Sequence, residues 1–180
     1  MVWGEEDVVT ERLDFAWVYN VTPLATFRMV TRLEFLDENA RQLGYQGFQV
    51  LELRERQGVF RSISERRVDP ELAAWGPRFF SSKNMVKRSQ LWQSASWDGA
   101  RNFDESIEID GISVTIRGGG GVIPVSATST RYTLSLTLES SGRLAGRKLE
   151  NGVGTAIGAG LEAEHDFRLR WLERQVQHGF

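Results

Sequence analysis

Six segments in succession carry the alternation and the β-branched or aromatic content of strands: "FQVLELRER", "VFRSISERRV", "MVKRSQLWQSAS", "ARNFDESIEID", "ISVTIRG" and "TRYTLSLTLES". Turn signals, "QG", "DG" and a glycine-rich stretch, separate most of them. Parallel strands need a long crossover between every pair, so this succession predicts an antiparallel sheet. One excursion, "DPELAAWGPRFFSSK", interrupts the run; Pro70 and Pro77 cannot sit in a central strand, which sends the segment off the sheet edge.

The flanks complete the order. Ahead of the six, "ERLDFAWVYN" alternates Leu13, Phe15, Trp17 and Tyr19 on one face, the pattern of a strand buried on one side. It stops at "NVTP", where Thr22 can cap and Pro23 can occupy the first turn of a helix through "LATFRMVT". "RLEFLDENARQLG" predicts a second helix ending at Gly44. After the strands, "SSGRLAG" supplies a break and an apolar stripe at helical spacing runs from Leu144 to Gln175. A strand, two helices, six strands and a long terminal helix predict an α+β fold with the last helix lying across a curved sheet.

Composition narrows the function. With 180 residues, 41% of them apolar and 26% charged, the chain predicts one domain over 1–180, with 1–10 as a flexible N-terminus. A formal charge of -2 gives no field to hold nucleic acid or an anionic membrane. The chain has no cysteine and only two histidines, so neither a thiolate nucleophile nor a metal centre is expected, and no cofactor. The N-terminus lacks a basic region followed by an apolar run, and no stretch approaches a membrane span; the reading is cytoplasmic, without integral membrane association.

Advancing about 100° per residue, Val153, Ala156, Gly160, Glu164, Phe167 and Trp171 fall in one stripe of the terminal helix, flanked by Leu149, Ile157, Leu161 and Leu172. A helix on a filled core would carry Leu or Ile at the centre of that stripe. Glycines at 152, 154, 158 and 160 instead imply close approach of helix to strand, fraying of its first turns, or, at Ala156 and Gly160, volume left for a ligand. Glu164 implies an internal ion pair with Arg168 one turn on, an exposed helix end, or a carboxylate meeting water or a polar ligand group. His165 lies off the stripe and reads as a surface residue, and His178 as part of a loose tail.

The tail "GRLAGRKLENGVGTAIGAGLEAEHDFRLRWLERQ", through Gly146, Lys148, Leu149, Glu150, Glu162, Glu164, Phe167, Trp171 and Leu172, resembles the end of a family of uncharacterised START-like (SRPBCC) domains. Trp92 in "SQLWQSASWDG" resembles that family's mid-sheet tryptophan, although Gln90 and Leu91 depart from its usual charged residues. The resemblance implies the helix-grip fold: about seven antiparallel strands wrapped around a C-terminal helix, two short helices after strand one, and a cavity for apolar small molecules between them. On that reading the cavity draws on Phe15, Trp17, Trp92, Tyr132, Leu136, Ala156, Gly160, Glu164, Phe167, Arg168 and Trp171, and Trp75, Phe79 and Phe80 form a lid.

Other motifs are explained without chemistry. "RGGGGV" follows a strand without opening a helix, so it predicts a bend or hairpin corner rather than a phosphate loop. The nine basic and four acidic residues from Arg54 to Arg88 predict a solvated sheet face, the alternative being a surface for an anionic ligand, a lipid headgroup or a partner. Three functions stay open. The favoured one is binding or carrying an apolar molecule, lipid-like or polyketide/aromatic. The second is a cyclase/aromatase-like enzyme in which Glu164, with Arg168, moves a proton. The third is an interaction scaffold without a ligand.

Overall fold

The computed structural model of the chain describes residues 8–68, 83–112, 114–141 and 145–178. Strand β1 (Val8–Tyr19) is followed by helices α1 (Pro23–Val30) and α2 (Leu33–Gln42). Six strands come next: β2 (Gln49–Arg56), β3 (Val59–Arg67), β4 (Met85–Trp92), β5 (Arg101–Ile109), β6 (Val114–Ser126) and β7 (Ser129–Ser141). Helix α3 (Ala145–His178) closes the order. The strands form one antiparallel sheet in the order β1-β7-β6-β5-β4-β3-β2, so only β1 leaves its sequence neighbours, crossing by way of α1 and α2 to pair with β7.

Local chemistry explains the boundaries. Thr22 Oγ1 accepts from the Ala25 amide at 3.2 Å and Pro23 takes the first turn of α1. Gly44, at φ +70°, follows α2 in the left-handed region. The β2–β3 hairpin turns on Gln57 and Gly58, at φ 53° and 80°, the two positive angles that a tight two-residue connection demands. Residues 8–10, read from sequence as flexible, belong to β1, where Val8 stands opposite Ser141.

The glycine run differs from the sequence expectation. Gly118 to Gly121 lie inside β6, paired to β5 on one side and β7 on the other, and make no corner. A Cβ at Gly118 would fall 1.8 Å from the Ser135 carbonyl oxygen, and one at Gly120 would fall 1.9 Å from that of Thr133 and 2.9 Å from the Phe103 ring. The glycines therefore admit close backbone approach and leave space over which Phe103 lies, 4.3 Å from Trp92.

Helix α3 packs against β1, β7 and α2. The core between helix and sheet is built from Leu134, Leu136 and Leu138 of β7, Phe103, Ile107 and Ile109 of β5, and Val153, Leu161 and Phe167 of α3. The excursion with Trp75, Phe79 and Phe80 lies outside the described residues.

Candidate functional site

A cavity of about 110 Å³ lies between α3 and the sheet. Ala156, Ile157, Gly160, Leu161, Glu164 and Arg168 form its helix wall; Val86, Arg88, Ile107, Ile109 and Tyr132 belong to its sheet wall; Phe35, Leu36 and Asn39 of α2, with Tyr45, close one end. The small residues of α3 open it. A Cβ at Gly160 would meet only the Tyr45 hydroxyl at 3.7 Å. Gly154 is the opposite case: its Cβ would come within 2.4 Å of the Glu11 carboxylate. The helix glycines therefore differ in their surroundings: Gly154 lies in close contact near the start of α3, and Gly160 faces open volume at its middle.

Glu164 is 8% exposed and is bound from two elements. Arg88 Nη1 donates to both of its oxygens, at 3.0 and 2.9 Å, and Arg168 Nη2 to Oε2 at 3.2 Å. Arg88 Nε donates at 2.7 Å to Glu105, whose other oxygen accepts from Gln90 Nε2 at 2.8 Å. The Gln90 carbonyl in turn accepts from the Trp92 indole at 3.3 Å. Two guanidiniums thus meet two carboxylates, and the chain of bonds ends in the aromatic core. Arg168 also lies 4.6 Å from the centre of the Tyr132 ring.

Environment sets the ionisation. Burial pushes the Glu164 carboxyl up, but Arg88 and Arg168 together outweigh it and hold its pKa below the ordinary carboxylate value. Burial also opposes charge on Arg88, and Glu105 with Glu164 reverses that effect. The Tyr132 phenol is pushed up to about 12, chiefly by burial, so it stays neutral. A carboxyl with a depressed folded pKa contributes stability that is complete above its unfolded value and is lost as pH falls through the folded one. Acid titration of the wild type should therefore show stability being lost from the ordinary carboxylate range downward, the loss ending only below the folded value of Glu164, and Glu164→Gln should flatten that limb. Parallel limbs in the two proteins, followed by denaturant midpoints against pH, would refute the assignment.

The family model described as "Protein of unknown function (DUF2505)" matches residues 14–172. The chain belongs to this family. No curated protein matches its sequence. Among solved structures, norcoclaurine synthase from Thalictrum flavum, a point mutant in complex with a transition state analogue, superposes with a TM-score of 0.60 at 11% identity, over 95% of this chain and 99% of that one. The Zhui aromatase/cyclase from Streptomyces sp. R1128 gives 0.58 at 13% identity, over 93% and 96%. A protein from Thermus thermophilus gives 0.56 at 15% identity, over 87% and 93%. At such identities the likeness is one of fold: this DUF2505 member has the START-like, helix-grip architecture. Among the described residues, no helix is long and apolar enough to cross a membrane.

Of the residues that sequence reasoning assigned to a cavity in this DUF2505 chain, Tyr132, Ala156, Gly160, Glu164 and Arg168 are brought together at its wall. The others lie elsewhere. Trp92 and Leu136 are sealed in the core, Trp92 against Phe103 and Phe27. Phe167 and Trp171 pack on Phe35 beyond the cavity. Phe15 and Trp17 stack on each other at 5.2 Å, and Trp17 on His165 at 5.0 Å. His165 is accordingly no plain surface residue, since its Nδ1 also lies 3.0 Å from the Tyr19 hydroxyl.

The residues missed were Arg88, Gln90 and Glu105, together with Tyr45, whose hydroxyl donates to Glu164 at 3.4 Å. A signal existed for three of them. Arg88 and Gln90 are in phase with the buried Val86 and Trp92, and Glu105 with Phe103, Ile107 and Ile109. Charged or amide groups in step with an apolar face have to find partners there. Tyr45 offered no such signal, because its place depends on how the loop after α2 returns to the sheet.

Proposed function

We propose that the protein binds an apolar small molecule in the cavity between the sheet and the C-terminal helix. The observation that carries this reading is the open space beneath Gly160, at the centre of a helix face that would otherwise hold a large apolar side chain. A helix interior forgoes up to about 1 kcal/mol at each glycine relative to alanine, and this one forgoes apolar burial as well. Its wall joins apolar side chains, among them Val86, Ile107, Ile109, Ile157 and Leu161, to a cluster of polar and charged groups, a combination that suits a ligand with both characters. A cavity of about 110 Å³ suits a ring-sized ligand or ligand portion, since an engineered apolar cavity of about 150 Å³ takes up benzene.

The proton-transfer alternative receives less support. Glu164 has its carboxylate paired with two guanidiniums and its pKa depressed, which makes it a weak base and leaves no proton to donate near neutrality. Its role in this reading is to position Arg88 and Arg168. The cyclase and synthase activities named for the similar structures are properties of those proteins.

Toluene, observed by saturation-transfer NMR, tests the cavity. Wild type should give a saturable signal. Gly160→Leu should abolish it while keeping or raising the melting temperature, because the new side chain enters open space and improves helix propensity. Absence of toluene binding by wild type, combined with destabilisation by Gly160→Leu, would defeat the reading.

A further inference from the structure

We propose that the end of the sheet carrying Trp97 docks onto an anionic lipid surface. Among the described residues nine large apolar side chains stand exposed, and five of them, Val18, Leu24, Trp97, Ile123 and Val125, belong to this end. The topology gathers them. In an antiparallel sheet of consecutive strands, β1 finishes here, α1 begins here, and the β4–β5 and β6–β7 hairpins turn here. Val18 and Ile123 lie in register on either side of Arg131, on the face opposite the buried Tyr132, and Val125 follows two residues on. The Arg101 guanidinium lies 4.1 Å from the centre of the Phe27 ring, which joins the start of β5 to α1, and Leu24 lies one turn before Phe27. Trp97 itself is 97% exposed. The loop that presents it is fixed by its own bonds: the Ser96 amide donates to the Ala100 carbonyl at 2.9 Å, the Gly99 amide to that of Ser96 at 2.9 Å, and the Ala100 amide to Asp98 Oδ1 at 3.1 Å. The indole takes no part in this bonding and is held in water.

Charge identifies the surface. Arg28, Arg56, Arg101 and Arg131 stand at this end against Glu55 and Asp98, four positive groups against two negative, and Asp98 is engaged by Ser96 and Ala100 within its own loop. The whole-chain charge of -2 is reversed locally. The arginines are interleaved with the apolar groups: Arg131 lies between Val18 and Ile123, and Arg28 lies one turn after Leu24. A protein interface keeps charge away from its centre and seats each aromatic anchor in a pocket. A bilayer surface asks for the reverse, apolar side chains reaching the acyl boundary while guanidiniums beside them meet phosphates, and tryptophan favours that depth. Five exposed side chains drawn from four segments fit a deformable lipid layer better than a partner of fixed shape. Attachment of this kind is peripheral.

Flotation of the full-length protein with vesicles of phosphatidylcholine, with and without an equal amount of phosphatidylglycerol, tests the assignment. Wild type should float with the anionic vesicles and lose that binding as salt rises. Trp97→Ala should weaken it by about tenfold or more, and Arg131→Glu by about fivefold or more. Leu51→Ser, at a 49% exposed position of β2 away from this end, should bind as wild type does. Trp97 and Arg131 are exposed, so both variants should keep the wild-type melting temperature, which separates lost docking from lost folding. Anionic-vesicle binding that Trp97→Ala leaves unchanged would overturn the proposal, and so would equal binding to the neutral and the anionic vesicles. Failure of wild type to float with either would also overturn it; a concentration-dependent dimer in sedimentation, abolished by Trp97→Ala, would then give this end to a second copy of the chain. Toluene uptake reads the cavity separately and does not bear on this surface.

Discussion

Glu164→Leu should destabilise the protein by about 3–5 kcal/mol, the cost of removing one partner from a buried ion pair and leaving the other charge uncompensated. The reason lies in the charges at the site. In the wild type, Arg88 and Arg168 face Glu105 and Glu164. Removing Glu164 leaves Arg88 with Glu105, but Arg168, 4% exposed, has no other carboxylate partner among the described residues. Leucine supplies apolar burial worth about 1.5–3 kcal/mol in a good site, which cannot hydrate a stranded guanidinium. The double variant Glu164→Leu with Arg168→Met should recover a large part of the loss, because Arg88 and Glu105 then remain as a neutral pair among apolar neighbours. Urea denaturation of the two singles and the double gives the coupling energy directly. A single-variant cost under about 1 kcal/mol, or strictly additive effects, would mean that the network behaves as a surface pair and does not order the cavity wall.

That network also marks the limit of sequence reasoning. The sheet, the two short helices after β1 and the long terminal helix were legible because each rests on local periodicity and on short turns, whereas the crossing of β1 to pair with β7 was not. Glu164 and Arg168 were legible as a pair because four residues on a helix fix their distance. Arg88 was hidden in a charged run between Arg54 and Arg88 that looked solvated as a whole, although strand alternation turns this one residue inward, in phase with Val86 and Trp92. Its partner Glu105 comes from the next strand, and their register depends on turn geometry that composition does not reveal. Phe15 and Trp17 show the converse. Alternation put them on the inner face, but their stacking with each other and with His165 draws them to the flank of α3 and away from the cavity.

The glycines show why a residue type cannot be interpreted without its surroundings, and they yield the second large effect. Gly120→Val should cost about 3 kcal/mol or more, at or beyond the upper end of overpacking. Its Cβ would fall 1.9 Å from the backbone oxygen of Thr133, and a backbone atom cannot rotate away as a side-chain tip can. Relief requires β6 and β7 to part along the ladder that joins Gly120 to Leu134, and a displaced Phe103 would lose its contact with Trp92. Gly160→Ala should have the opposite sign, raising stability by up to about 1 kcal/mol, since alanine is the better helix former and its methyl meets only the Tyr45 hydroxyl at 3.7 Å. Thermal and urea unfolding of the two variants side by side provide the check. Tolerance of valine at 120 would show that β6 and β7 do not approach as closely as the glycine run implies. Loss of stability on Gly160→Ala would show that the middle of α3 is packed rather than open, and the ligand-binding proposal would lose the observation that carries it.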